Sequence, residues 1–390
     1  MTRLKTAAGL RWRFIKNMAS MLKIFACVLL SGLAFGVAEA AAPETPAAEI
    51  RLGSSAALSG PAALLGGRFH AGARAAFAQA NQHGGVHGSK LTVDLLDDAY
   101  EQTRAEANTS RLVDDERVLA LFGYVGTPTS WAALPYVKRS RIAFVGAYTG
   151  AEILRDPANH HVFNVRASYV DESNKLAQAM QAAGVKTLNV LYQADIFGRS
   201  GLEAIKAAAA PLGLQIKAVV TVKRNTAQVA NEVRALVKDG KADAVFMVST
   251  YGTCAAFIKA ARLAGYNGHF YTLSFAGREP LWEALGKSLR GVTIAQIVPD
   301  PQDSAVPVVG AYQQAMRETG EKSFDSISLE GYIAARVMVE GLLRSKPPLT
   351  REGIRAGLAS LGKLDLGGFP LEYGPNTRGG SSYVELKEKP

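Results

Sequence analysis

Cysteine is scarce. Cys27 and Cys254 are the only two in 390 residues, which excludes a disulfide framework. If Cys27 leaves with an N-terminal leader, no disulfide can form within the chain. Cys254 follows an apolar strand-like run, where a free thiol is most often buried and inert. Long apolar runs are missing too. IFACVLLSGLAFGVA, about 15 residues near the N-terminus, falls short of the roughly 20 that a membrane-spanning helix needs. After it there is no block of five or more like charges. Basic residues are interspersed with acids, as in KDGKAD (238–243). A basic stripe with interleaved aromatics, the footprint of a nucleic-acid binder, is absent. Nothing in the composition suggests disorder or low complexity.

What is present begins with a leader. Arg3, Lys5, Arg11, Arg13, Lys16 and Lys23 precede or open the apolar run, which ends in Ala38-Glu39-Ala40. Basic region, apolar core and A-x-A site read as a secretory signal peptide over 1–40, cleaved near Ala40–Ala42. A short linker, 41–48, follows. The alternative is a membrane anchor, for which the run is short. Met18 or Met21 is an alternative start. Cys27 sits early in the run, which argues against a lipoprotein. Losing six basic residues and one acid takes the net charge from +10 to about +5.

From residue 49 short apolar runs alternate with amphipathic helical patterns. Runs at 50–58, 91–97, 118–123 and 142–147 read as strands, with helices at 65–81, 104–114 and 129–139 between them. Phe69, Ala73, Ala76 and Ala80 share one face of the first helix. VFNVR (162–166) breaks the rhythm, and the same grammar then restarts. Helices at 172–183, 201–210, 227–238 and 252–264 alternate with strands at 187–192, 214–222, 243–249, 269–274 and 291–298. Helices at 306–319, 326–344 and 351–361 and a strand-rich tail finish the chain. Repeated βα units predict an α/β fold with parallel-rich sheets covered by helices on both faces. The late helices need a sheet to cover. Sending them back to the first unit makes the chain cross between two lobes several times, with a hinged cleft between.

Enzyme signatures fail one by one. Gly286-Lys287-Ser288 resembles the end of a P-loop, but Leu281 stands where its first glycine is required. No G-x-G-x-x-G follows the first strand, and no G-x-S-x-G occurs. His83 and His87 lie in a Gly-rich turn, not on a helix face that could hold a metal. Asp97-Asp98 and Asp114-Asp115-Glu116 end elements and read as capping or solvated carboxylates. No cofactor, metal or catalytic group is expected.

The positive signal is a series of stretches: LSGPAALLGG (58–67), NQHGGVHGSKL (81–91), DDAYEQTRA (97–105), LFGYVGTPTS (121–130) and FVGAYTGAE (144–152). In this order they resemble the leucine/isoleucine/valine-binding family of exported solute-binding proteins, with the type I periplasmic-binding-protein fold. The resemblance runs from about Ile50 to the C-terminus. It implies a periplasmic, non-catalytic protein, expected as a monomer. Such a protein captures a small organic ligand, here a branched-chain or apolar amino acid or a related carboxylate, between two lobes and delivers it to the permease subunits of an ABC importer. A sensor reporting ligand to a partner is the alternative. The implied lobes are 49–166 with about 295–372, and about 167–294 with 373–390.

The resemblance also implies site residues. The loop after the third strand would hold a ligand carboxylate through Thr127, flanked by Tyr124 and Gly126. Ala147, Tyr148 and Thr149 match the partner loop. Backbone N–H groups at a helix N-terminus, with a hydroxyl, favour an anion independently of any family. Alternatively, Thr127 or Thr129 simply caps its helix. In the second lobe Phe197 stands where the family usually has a ligand-facing Tyr, and Tyr251 where another Tyr closes the cleft. Ser274 stands where amino-acid binders place a Glu for the ligand ammonium, and Leu65 replaces an aromatic. Tyr148, Tyr169, Phe197 and Phe275 either line an aromatic pocket or pack as core. An ammonium without a counter-charge is costly to desolvate. Either Asp171 or Glu172 replaces the missing Glu, or the ligand is a carboxylate without an amino group.

Overall fold

The computed structural model describes residues 49–286, 290–374 and 379–388. The expected leader and linker lie outside the described residues, as do Lys287 and Ser288. The first half runs β1 (Glu49–Ala56), α1 (Ala63–Gln82), β2 (Lys90–Asp97), α2 (Gln102–Asp114), β3 (Val118–Phe122), α3 (Thr127–Ser140), β4 (Ala143–Val145) and β5 (Val162–Phe163). The chain continues through α4 (Tyr169–Ala182), β6 (Thr187–Gln193), α5 (Ile196–Ala209), β7 (Gln215–Val222), α6 (Ala230–Val233), β8 (Ala244–Val248), α7 (Tyr251–Leu263), β9 (His269–Thr272), α8 (Arg278–Leu285) and β10 (Val292–Gln296). Then come α9 (Pro307–Glu318), α10 (Ser326–Leu343), α11 (Arg351–Ala359), β11 (Lys363–Asp365), β12 (Pro370–Glu372) and β13 (Glu385–Glu388).

Two sheets carry the lobes. The first has the order β2-β1-β3-β4-β5, all parallel. The second has the order β13-β10-β9-β8-β6-β7, parallel except for β13 at its edge. Side chains alternate across each strand, so a sheet covered on both faces should feed two cores. In β3, Leu121 joins the core under α2 and α3, while Ala120 and Phe122 join the core under α1 and α10. In β8, Val245 and Met247 face one side, and Ala244, Phe246 and Val248 the other. Helices α9 and α10 pack on α1 of the first lobe, and α11 packs on β3 and β4. The chain then returns to pair β13 with β10.

Several helices start or stop elsewhere than the periodicity predicts. Helix α5 opens at Ile196, five residues early, because the Asp195 carboxylate accepts the amides of Phe197 and Gly198. Helix α4 opens at Tyr169 through a capping box of Ser168 and Asp171, which puts Tyr169 and Glu172 in its first turn. The helix expected over 227–238 is the short α6 followed by a π turn, Arg234–Asp239. Asn189 of β6 donates to Leu236 O at 2.7 Å and also to Gly240 O, drawing those carbonyls out of α-helical register. Helix α8 was not expected at all.

Cys254 is fully buried on α7, and burial pushes its thiol up to about 12. Cys254 should therefore not react with a bulky disulfide reagent within an hour at pH 8 in the native protein, and should react once the protein is unfolded in denaturant. A rapid native reaction, followed at 412 nm, would contradict that burial.

Candidate functional site

The site lies where the strands of both lobes end. β3 leaves through Gly123–Gly126, and α3 starts at Thr127 with no side chain capping it. Gly126 has φ 98°, and a Cβ there would sit 2.2 Å from the Tyr100 ring. Its amide donates to Tyr148 O at 3.1 Å, tying the loop to the one after β4. Thr129 does not cap the helix; its hydroxyl turns back to Val125 O at 2.5 Å. Thr127 does not cap it either. Its Oγ1 meets Thr149 Oγ1 at 2.7 Å, and Thr149 Oγ1 meets Tyr169 OH at 3.1 Å. Thr127, Thr149 and Ser130 are wholly buried, and Ser130 Oγ has no hydrogen-bond partner among the described residues. A hydroxyl cluster thus adjoins the positive end of a helix dipole.

Aromatic rings fill the space between the lobes beside it. Phe275, after β9, has its ring centroid 4.5 Å from Phe197, 5.5 Å from Tyr148 and 5.9 Å from Tyr100. Tyr169 lies 5.6 Å from Phe197. All five are buried. Tyr100 and Tyr148 come from the first lobe, the phenylalanines from the second.

Next to the rings sits a buried charged cluster. Arg166, between β5 and α4, is 1% exposed. Its guanidinium stacks on Tyr148 at 4.5 Å, faces Glu330 of α10 at 3.4 Å and donates through Nη2 to Ser274 Oγ. Ser274 in turn gives its amide and hydroxyl to Glu172, at 2.7 and 2.8 Å. Burial opposes the charge on Arg166, but Glu330, Tyr148 and Glu172 outweigh it and raise its pKa. Burial raises the Glu330 carboxyl to about 7, against the pull of Arg166 and with the push of Glu172. Burial likewise raises Glu172, though Arg166 and Ser274 work against it.

Contacts at the rim hold the lobes together. Glu101 of the first lobe accepts from Arg224 and, at 3.3 Å, from Asn225 of the second. Glu279 of α8 accepts the amide and hydroxyl of Ser326 at 3.1 and 2.6 Å. Gln193 donates to Tyr100 OH at 3.3 Å.

The expected residues divide as follows. Gly126, Thr127, Tyr148, Thr149, Tyr169, Phe197 and Ser274 come together in the cleft. Ala147 does not face the cleft; it is buried in the core under α2 and α3, and only its carbonyl turns to the loop, accepting the Thr149 amide at 2.8 Å. Tyr251 is half-buried at the start of α7 and interacts with the Leu64 backbone of the first lobe. Tyr124 does not belong to the cleft. It packs on Phe144 at 4.9 Å and bonds Thr109 at 3.0 Å, in the core under α2. The left-handed Gly123 resets the strand alternation and turns the next side chain to the other face. Asp171 is spent on the capping box, while Glu172 reaches Ser274. Tyr100, Arg166 and Glu330 were missed. Glu330 had a signal: it is a lone carboxylate inside the apolar stretch ISLEGYIAA. Among the described residues no group of three or more His, Cys, Asp or Glu could hold a metal ion.

Two α/β lobes with a buried polar and aromatic cleft between them define a bilobed binding protein. Residues 49–384 match the model of the periplasmic binding protein family, and the chain belongs to that family. It is 24% identical over 336 residues to the Leu/Ile/Val-binding protein homolog 7 of Brucella abortus, covering 80% of this chain and 82% of the relative. Among solved structures it is similar to "a possible leucine/isoleucine/valine-binding protein" from Rhodopirellula baltica SH 1. That match has TM-score 0.83 and 36% identity, covering 89% of this chain and 95% of the other. A substrate-binding periplasmic protein from Ralstonia solanacearum gives TM-score 0.82 and 30% identity, over 87% and 97%. The fold and relatives are those of binding proteins rather than enzymes, and the family implies a periplasmic location.

Proposed function

We propose that this protein captures a small organic carboxylate in the cleft and delivers it, as a monomer, to the permease subunits of an ABC importer. Residues 1–40 act as a signal peptide removed near Ala40–Ala42. The first lobe is 49–166 with about 295–372, and the second about 167–294 with 373–390. Sheet membership supports that division except at the second crossing, where Ala295 and Gln296 of β10 still pair with β13 in the second sheet. The observation that carries the reading is the buried hydroxyl cluster of Thr127, Thr149 and Tyr169 at an uncapped helix start. Uncapped amides at a helix N-terminus suit an anion. The lobes must open for a ligand to reach that cluster, because the rings of Tyr148 and Phe275 cover the approach.

The test is a thermal-shift screen of the secreted protein against amino acids and their matched des-amino carboxylates. A ligand at 100 times its dissociation constant adds about 2.7 kcal/mol, enough to move the melting point by a degree or more. Thr127→Ala should weaken binding about tenfold, about 1.4 kcal/mol, while leaving the unliganded melting point within a few degrees. If no carboxylate shifts the melting point, the reading fails.

A further inference from the structure

The charged cluster has unused hydrogen-bonding capacity of one particular kind. Arg166 is buried, yet its Nε and Nη1 have no hydrogen-bond partner among the described residues. Glu330 lies 3.4 Å from Nε but outside hydrogen-bond geometry. On the other side Gln296 is buried and its Oε1 has no hydrogen-bond partner among the described residues, while its Nε2 is committed to Val298 O and Pro299 O. Arg166, Gln296, Ser274, Glu330 and Tyr148 line one small cavity between the lobes, of about 10 Å³. Buried donors and acceptors left unpaired are costly, and native proteins pair nearly all of them. The cavity has room for about one oxygen-sized group, and the free atoms state its chemistry: acceptor lone pairs toward Arg166, and a donated hydrogen toward Gln296.

The cavity and the hydroxyl cluster are neighbours. Tyr148 and Thr149 are adjacent in sequence; one stacks on Arg166 and the other is bonded to Thr127. Tyr169 and Glu172 are three residues apart on α4, so about 4.5 Å along its axis. One reaches Thr149 and the other the Ser274–Arg166 pair. Tyr148 lines the cavity and its neighbour Thr149 belongs to the hydroxyl cluster, so a ligand whose carboxylate sat at the cluster would carry a nearby substituent toward the cavity.

We propose that the ligand is an oxygen-substituted organic acid, a hydroxy or oxo acid, whose oxygen is held by Arg166 Nε and Nη1, with Gln296 accepting from a hydroxyl. This rests on the carboxylate reading above and names the ligand class for the same cleft. It also accounts for Ser274. The cluster already contains its cation, because Arg166 sits between Glu330 and Glu172 and donates to the Ser274 hydroxyl. A ligand ammonium would face a guanidinium with free N–H groups. Sites built to hydrogen-bond one substituent reject analogues that lack it.

The experiment is isothermal calorimetry on the secreted protein with four acids of one carbon skeleton: 2-hydroxy-4-methylpentanoate, 4-methyl-2-oxopentanoate, leucine and 4-methylpentanoate. The same four functional groups on 3-phenylpropanoate cover an aromatic ligand body. At least tenfold tighter binding of the hydroxy or oxo acid than of both the amino and the plain acid is expected. Equal binding of the plain acid overturns the proposal and leaves the carboxylate reading standing. Tighter binding of leucine or phenylalanine overturns it in favour of an ammonium site. Binding of none overturns both. Glu330→Gln, nearly isosteric, removes the carboxylate facing Arg166 and should tighten hydroxy- and oxo-acid binding severalfold without affecting the plain acid. Arg166→Lys, checked for folding by circular dichroism, should erase the oxygen preference at least tenfold. A Glu330→Gln protein with unchanged ratios among the four acids would also overturn the proposal.

Discussion

Gly331→Ala should destabilise the protein by about 3 kcal/mol or more, enough to lower yield as well as melting temperature. A Cβ on Gly331 would lie 1.9 Å from Phe69 O, and one on Gly72 1.7 Å from Ser328 O. These two contacts are reciprocal. Helices α1 and α10 cross so closely that each backbone occupies the space of the other's side chain. The obstacle is backbone in both cases, so no rotamer change can relieve it. The helices must separate, and overpacking of this kind commonly costs about 1–3 kcal/mol and sometimes more. Against a total stability of about 5–15 kcal/mol, that is a large fraction. Gly67, also within α1, is the internal control. A Cβ there meets nothing within 4 Å, so Gly67→Ala should be neutral or stabilising by up to about 1 kcal/mol. Urea unfolding of the two variants and the wild type checks the contrast. If Gly331→Ala and Gly67→Ala differ by under 1 kcal/mol, the close crossing is not what holds these helices. The crossing also serves the cleft: Glu330 precedes Gly331, and Phe69 packs 5.8 Å from Tyr148. Spreading the helices should move Glu330 away from Arg166.

The parts of this architecture that are legible from sequence are those written locally. Strand runs alternating with helical faces give two parallel sheets, because each βα unit must bury both strand faces. The Gly-Thr-Pro-Thr loop is readable because an apolar strand stops and a helix begins within five residues. Tyr124 was misplaced for a local reason that sequence alone does not carry. A glycine in the left-handed region breaks the period of two, and the backbone angle is not written in the residue. The periodicity starts this helix only at Gly201, yet Gly198 lies inside α5 as well. A Cβ on Gly198 would sit 1.8 Å from Gln193 O, and one on Gly201 2.5 Å from Val248. They are there for close packing. Arg166 and Glu330 were hidden for a different reason. Arg166 lies 108 residues from Ser274 and farther still from Glu330, and the way the lobes meet decides which charges pair. Tyr100 adopts φ 62°, unusual for a tyrosine, which aims its ring at Gly126.

Glu330 should make wild-type stability fall with rising pH between about 4.5 and 7, and Glu330→Gln should remove that component. The unfolded carboxyl titrates near its ordinary value of 4.5, the folded one near 7, burial being the largest cause. The folded state therefore holds the proton more tightly. Its contribution is fully present below pH 4.5, declines through the window, and is lost above about 7. The decline amounts to up to about 3 kcal/mol by linkage. Other groups titrate nearby, so the comparison must be a difference. Burial also raises Asp98, to about 6, which acts in the same direction. Burial lowers His70 to about 4, which acts oppositely by adding stability as pH rises toward 6.5. Both are present in wild type and variant and cancel when the two curves are subtracted. What remains reports Glu330 in its setting of Arg166, Glu172 and Tyr148. Gln resembles the protonated acid, so wild type and variant should lie closest at pH 4.5. By pH 7.5 the variant should have gained on wild type. A sign opposite to this, measured by urea unfolding across the window, would mean that Arg166 stabilises the ionised Glu330 by more than burial costs it. The cluster would then be a permanently charged triad, and its net negative charge would favour a ligand carrying a cation. The same subtraction therefore tests the electrostatic basis of the ligand class proposed for the cleft.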